Sequence, residues 1–222
     1  MVNLIGRYMN ISDKTRVLDL ACGKGAVAVK VAQNLRVKVK GIDLMPEFIE
    51  YARQKAKEYN VDDLCEFLIG DINESAITER DYDCVIFGAA GVDVLGGPSE
   101  ALNKLKATIK QGGYILIEEG YVPDGGKLED IRYNRDAYYS EQFWMALFKD
   151  KRVELLETAS GHSEGDLDSV SGIAAIKARA VELCLRYPEK KALFESYVRN
   201  QQDEYADIAD SLACVTWLLR KM

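Results

Sequence analysis

Short strand-like runs alternate with helix-like stretches over the first two-thirds of the chain. Arg16-Val17-Leu18-Asp19-Leu20 is a β-rich run entering a glycine-containing turn. Behind it, Ala28, Val31, Ala32 and Leu35 recur at i, i+3, i+4 and i+7, the spacing of one helix face. Val37, Val39 and Gly41 alternate with polar residues up to Ile42-Asp43, which predicts a second strand. Pro46 suits the first turn of a helix, and Phe48, Ile49, Ala52 and Ala56 supply its buried side. Glu66 to Ile69 reads as a third strand ending at Gly70-Asp71, and Tyr82 to Phe87 as a fourth ending at Gly88. Pro98 opens a helix carrying Ala101, Leu102, Leu105 and Ile109, with Gly112-Gly113 as its expected stop. Tyr114 to Ile117 is the fifth strand.

Strands and helices alternating at this pace imply right-handed βαβ units and a parallel sheet. The last third differs. Ser140 to Phe148 reads as helix and Arg152 to Thr158 as a sixth strand. Leu167 to Ala209 is helical in pattern, with a break at Tyr187-Pro188. Its apolar side begins with Val170, Ile173, Ala174 and Ile176. Ala213 to Leu219 is a final strand closed by Arg220-Lys221. The expected organisation is one domain over 1–222, with a core at 1–160, a helical insertion at 161–210 and the last strand at 211–222. A chain of 222 residues suits one large core.

Composition narrows the function classes. The net charge of -7 opposes binding to a nucleic-acid backbone, which relies on Lys and Arg neutralising phosphates. No apolar run reaches the roughly 18 to 20 residues of a membrane span, so no membrane partner is expected. Met1 to Arg16 carries no secretory pattern, which leaves a soluble, cytoplasmic protein as the default. Cys22, Cys65, Cys84, Cys184 and Cys214 show no C-x-x-C spacing and are read as reduced, and no metal site is expected. Cys65, Cys84 and Cys214 lie in apolar runs where a thiol is a small buried hydrophobe.

The chemistry gathers where strands end. Asp19-Leu20-Ala21-Cys22-Gly23-Lys24-Gly25 is a strand feeding a glycine-rich turn and then a helix. Glycines let a ligand approach the backbone, and the helix start offers free N–H groups. The stretch also fits G-x-G-x-x-A through Gly23, Gly25 and Ala28, a dinucleotide pattern. Asp19 speaks against NAD, because a carboxylate there suits a cationic ligand better than a pyrophosphate. Asp43, Asp71 and Gly88 end three further strands, so all should share the carboxyl edge of the sheet, where such folds bind ligands.

Together these residues resemble the class I S-adenosylmethionine-dependent methyltransferases. The family's acidic residue and glycine turn match Asp19 to Gly25, with Ala21 and Cys22 inside it and Ala21 replacing the first glycine. That replacement demands a backbone conformation that accommodates a Cβ. By resemblance, Asp43 in G-I-D-L would accept both ribose hydroxyls, with Leu44 beside it. Asp71 in Gly70-Asp71-Ile72 would accept from the adenine amine, and Ile72 would pack on the ring. The fourth-strand motif matches Tyr82 to Gly88, and Lys110-Gln111-Gly112-Gly113-Tyr114 resembles the turn before the fifth strand. Gly88 to Gly97, Glu118 to Tyr121 and Val215 to Lys221 are similar to a subgroup of uncharacterised small-molecule methyltransferases.

The resemblance implies a Rossmann-like, doubly wound α/β sheet of about seven strands, mostly parallel with an antiparallel last strand. Helices are inserted before that strand and cover the substrate side. It implies S-adenosyl-L-methionine as cofactor and a small-molecule methyl acceptor. The chain would be a monomer or homodimer. His162, the only histidine, Glu118 and Tyr121 are candidate catalytic groups, and Glu119 also follows the fifth strand. The His162 imidazole suits proton removal, although an exposed loop position is the favoured explanation. Tyr133, Tyr138, Tyr139, Phe143 and Trp144 line a pocket or belong to core. No N-P-P-Y-like motif or Pro-Cys nucleophile supports a nucleic-acid or protein acceptor. That reading, a non-catalytic S-adenosylmethionine binder and an NAD-dependent oxidoreductase are the alternatives.

Overall fold

The computed structural model describes residues 1–160 and 168–222. His162, which lies in 161–167, and the Val170 side chain lie outside the described residues. The helices are α1 (Val2–Tyr8), α2 (Ala26–Leu35), α3 (Pro46–Glu58), α4 (Ile72–Thr78), α5 (Pro98–Thr108), α6 (Glu141–Asp150), α7 (Asp168–Arg186) and α8 (Lys191–Asp210). The strands are β1 (Arg16–Leu20), β2 (Lys38–Asp43), β3 (Cys65–Ile69), β4 (Tyr82–Phe87), β5 (Ile109–Val122), β6 (Tyr139–Ser140), β7 (Val153–Ser160) and β8 (Ala213–Lys221).

They form one eight-stranded sheet in the order β3-β2-β1-β4-β5-β8-β7, with β6 paired to β5 beside that path. β1 to β5 are parallel and the C-terminal strands run antiparallel, the mixed Rossmann-like sheet expected from the sequence. The Met222 N–H donates to the Arg152 carbonyl at 3.1 Å, which joins the end of β8 to the start of β7.

β1 and β4 are central strands with helices on both faces, and their apolar runs are continuous rather than alternating. Val17, Leu18, Leu20, Cys84, Val85, Ile86 and Phe87 are all fully buried. Pro46 and Pro98 occupy the first turns of α3 and α5, where a missing N–H costs nothing. Ala28, Val31 and Ala32 of α2, and Ile49, Ala52 and Ala56 of α3, form the core-facing sides. Phe48 was expected there, but it is 37 % exposed beside the Lys24 ammonium.

Gly112-Gly113 does not stop α5. The helix ends at Thr108, whose hydroxyl donates to the Leu105 carbonyl at 2.8 Å, and Ile109 is already extended. Gly112 at φ 73 instead forms the irregularity between the Tyr82–Ile109 and Cys84–Tyr114 pairings. The fifth strand is therefore 14 residues long, beyond the Tyr114–Ile117 segment predicted.

The chain divides into two compact units. The first holds Met1–Glu119, Met145–Ala159 and Thr216–Met222; the second holds Gly120–Trp144 and Ser160–Val215. In the first, Phe148 and Trp217 pack edge to face, with centroids 5.2 Å apart. In the second, Asp207 is fully buried and accepts from the Arg132 and Tyr133 N–H groups at 2.9 and 2.8 Å, tying α8 to that loop. Tyr139 stacks on Phe143 with centroids 4.4 Å apart. The break at Tyr187-Pro188 separates α7 from α8 as the sequence predicts. Cys84 is buried while Cys65 and Cys214 are half-buried. No described helix is long and apolar enough to cross a membrane.

Candidate functional site

The first unit brings Asp19, Ala21, Cys22, Gly23, Gly25, Asp43, Leu44, Gly70, Asp71, Ile72 and Gly88 to the carboxyl edge of β1 to β4. Asp19 sits on the central strand, in register with Gly41 of β2 and Ile86 of β4. It is 3 % exposed, and its Oδ2 has no hydrogen-bond partner. Burial pushes its carboxyl up to about 7; the Ala28 N–H works against that shift and the Asp43 charge adds to it. A buried carboxylate with an open lone pair is costly unless a cation or donor completes it.

The turn after β1 is built around Asp43. Its Oδ2 accepts from the Gly23 N–H at 2.8 Å and its Oδ1 from the Met45 N–H at 3.0 Å. The Cys22 N–H adds a 3.1 Å bond to the Ile42 carbonyl, so turn and β2 end are locked together. A carboxylate has about four acceptor positions, so each Asp43 oxygen keeps capacity for one more donor. Gly25 caps α2 at φ 75, and a Cβ there would lie 2.8 Å from the Ala52 Cβ. Gly23 at φ 53 faces open space. Ala21 also takes a left-handed conformation, at φ 58. The Cβ thus does not change the turn; it stays at a cost of about 1 kcal/mol.

The other strand ends complete the edge. The Gly70 N–H donates to the Asp43 carbonyl at 3.0 Å, tying the β3 end to the β2 end. Asp71 caps α4, accepting from the Asn73 N–H at 2.8 Å, and remains exposed. Ile72, half-buried, opens that helix. Leu44 is 66 % exposed, an apolar surface with no protein neighbour covering it. At β4, a Cβ on Gly88 would lie 3.0 Å from Met1 Cε and 3.4 Å from Glu118 Oε2. Glu118 therefore stands beside Gly88, and Glu119 accepts from the Val92 N–H at 3.2 Å. Tyr121 belongs to the second unit, where β5 pairs with β6 through Tyr121 and Tyr139. Burial, together with Glu141 and Asp124, raises its phenol above the ordinary range.

Two neighbours escaped the sequence reading. Met1, ahead of α1, approaches Gly88, and the only signal for it is the apolar pair Leu4-Ile5, which buries α1. Lys24 lies over Phe48 and Tyr51, 5.6 and 5.4 Å from the ring centroids. Cys22 is buried and its thiol is raised far above the usual range, chiefly by desolvation, which removes it as a nucleophile. Among the described residues, no group of three His, Cys, Asp or Glu could hold a metal ion.

This sheet, with an acidic first strand, a glycine turn and acidic second and third strand ends, defines a class I S-adenosylmethionine-dependent methyltransferase fold. A family model described as "Methyltransferase domain" matches residues 11–166. The chain therefore belongs to the methyltransferase-domain family. It is similar to the uncharacterized protein YjhP of Escherichia coli K12, 29% identical over 118 residues, 53% of this chain and 46% of that protein. The crystal structure of YjhP superposes with a TM-score of 0.79 at 19% identity, covering 100% of this chain and 91% of that one. A methyltransferase from Geobacter sulfurreducens, solved with S-adenosyl-L-homocysteine, gives a TM-score of 0.79 at 20% identity, covering 100% and 90%. The ubiquinone/menaquinone biosynthesis C-methyltransferase UbiE of Rickettsia conorii is 29% identical over 193 residues, 76% of this chain and 77% of that one. The chain spans less than half the length of the first curated relatives it matches.

Proposed function

We propose that this chain transfers a methyl group from S-adenosylmethionine to a small-molecule acceptor. The observation carrying the reading is Asp19: a buried carboxylate with an open oxygen, set beneath a glycine turn at a sheet edge. The cofactor fits this edge chemically. Its cationic methionine end suits Asp19, and the open face at Gly23 admits it against the backbone. Asp43 has acceptor capacity left for the ribose hydroxyls, and exposed Leu44 offers apolar cover. In this reading Asp71 and Ile72 take the adenine amine and ring. S-adenosylmethionine supplies a methyl group already activated by its positive sulfur.

The protein's own work is positional. The Asp43 bonds to Gly23 and Met45 hold the turn and the β2 end in one geometry before any ligand arrives. In this reading Glu118, beside Gly88, takes a proton from an acceptor hydroxyl or amine. A small-molecule acceptor is supported by the relative named for quinone biosynthesis and by the acidic surface, net charge -7.

The test is calorimetric titration with S-adenosylmethionine, S-adenosylhomocysteine and NADH on wild type and Asp43→Ala, followed by a labelled-methyl screen of small acceptors. Micromolar binding of the first two, lost in the variant, and label transfer to a small molecule support the reading. Binding of NADH alone, or label transfer only to protein or nucleic acid, would overturn it.

A further inference from the structure

The α7–α8 hairpin carries a charge pattern that the methyl-transfer reading does not use. Between Lys177 and Arg199 stand six basic residues and three acidic ones, in a chain whose net charge is -7. Two of the acids are taken up locally: Glu182 pairs with Arg179 at 2.6 Å, and Glu195 with Lys191 at 3.7 Å. Past Arg199 the pattern reverses. Asp203, Glu204, Asp207 and Asp210 follow with no basic residue among them up to Ser211. At 1.5 Å per residue, Asp203 lies about 18 Å along the helix from Lys191. That exceeds the Debye length of about 10 Å at 0.1 M salt, so the tip cations Arg186, Lys190 and Lys191, offset in part by Glu189, are felt separately from that acidic stretch, whereas Arg199, about 6 Å from Asp203, is not.

The basic end is also the apolar end. Leu185 and Leu193 flank the turn at 82 % and 64 % exposure, and Val181 is 63 % exposed. Tyr187, within the turn, has Arg186 and Lys190 over its ring at 5.4 and 5.6 Å. A groove of about 610 Å³ follows between the helices, with Ala180, Val181, Cys184, Leu185 and Val198 among its walls and Lys177 and Arg199 at its rim. Exposed leucines, an interfacial tyrosine and clustered Lys and Arg match a bilayer interface, where apolar groups enter the acyl boundary and cations meet anionic headgroups.

We propose that the tip of this hairpin, Leu185 to Leu193, docks the protein peripherally on an anionic lipid bilayer. The earlier expectation of no membrane partner rests on the missing spanning segment, and a surface contact needs none. This inference stands independently of the methyl-transfer reading.

The test is flotation of the whole chain with vesicles of phosphatidylcholine alone and of phosphatidylcholine with one-third phosphatidylglycerol, at low and high salt. The expected result is flotation with the anionic vesicles only, released by salt. Lys190→Glu with Lys191→Glu should weaken partitioning at least about thirtyfold. Leu185→Ser should weaken it about tenfold. All these positions are exposed, and unchanged thermal melts show that the variants fold. Equal flotation with neutral vesicles, no flotation at all, or anionic binding unmoved by these substitutions would overturn the proposal. Concentration-dependent self-association lost in Leu185→Ser, without vesicle binding, would reassign the face to a second copy of the chain.

Discussion

Asp19 and Asp83 lie at opposite ends of adjacent strands of the same sheet, and the protein treats them in opposite ways. Asp83, near the start of β4, accepts from the Arg16 N–H at 2.8 Å and pairs with Lys110 at 2.6 Å. It clamps the entries of β1, β4 and β5. Asp19, near the exit of β1, is almost fully buried with one oxygen unpartnered. The entry edge is finished by the chain itself, whereas the exit edge is left one partner short. Carboxylates that fold a protein find their partners inside it; the open oxygen of Asp19, at the carboxyl edge of the sheet, is the observation on which the proposed cofactor site rests.

The comparison can be broken most forcefully at Asp43, which belongs to both categories. Asp43→Ala strips the Gly23 and Met45 N–H groups of their acceptor. It should cost about 2 to 4 kcal/mol of stability and abolish measurable S-adenosylhomocysteine binding, read by chemical denaturation and calorimetry. Asp19→Asn should have the opposite effect on stability. A carboxyl raised from 3.8 to about 7 binds its proton more tightly in the folded state. Its penalty is absent below the unfolded value, grows as pH rises between the two values and is complete above about 7. The variant should therefore be more stable than wild type at pH 8, by on the order of a few kcal/mol, and nearly equal at pH 4. Denaturation midpoints at the two pH values check this.

Asp83→Ala should lose about 1 to 2 kcal/mol and leave cofactor affinity unchanged, a separation that Asp43→Ala cannot show. A fall in affinity on this variant would erase the distinction between the two edges. The smallest effect is expected at Ala21. Ala21→Gly relieves the left-handed strain but adds unfolded-state freedom, so stability should move by less than about 1 kcal/mol.

The sheet's first five strands were legible as β-rich apolar runs, with β2, β3 and β4 closing on Gly or Asp, and the helices between them keep their own period. The elements missed are those made by context. α4 is seven residues held by the Asp71 cap, and β6 is two residues defined only by pairing with β5. The glycine pair after α5 was misread because Ile109 had already left the helix, and Gly112 serves the strand instead. At the site, the types and spacing of Asp19, Asp43 and the glycines were readable from motif order. The left-handed Ala21 was not, since sequence gives a Cβ no reason to sit there. Nor was the Glu119 contact with Val92, which joins residues 27 apart through the fold.

The proposed function puts a cation of the cofactor against Asp19. Calorimetric titration of S-adenosylmethionine from pH 5.5 to 8.5, on wild type and Asp19→Asn, addresses it most directly. A ligand cation favours the ionised carboxylate, so wild-type affinity should rise with pH and level off above about 7. Below that point it should fall toward tenfold per pH unit, with proton release on binding. Asp19→Asn should bind weakly at every pH and lose that slope. Equal affinity in the two proteins with parallel pH profiles would contradict the claim and return Asp19 to a purely structural role.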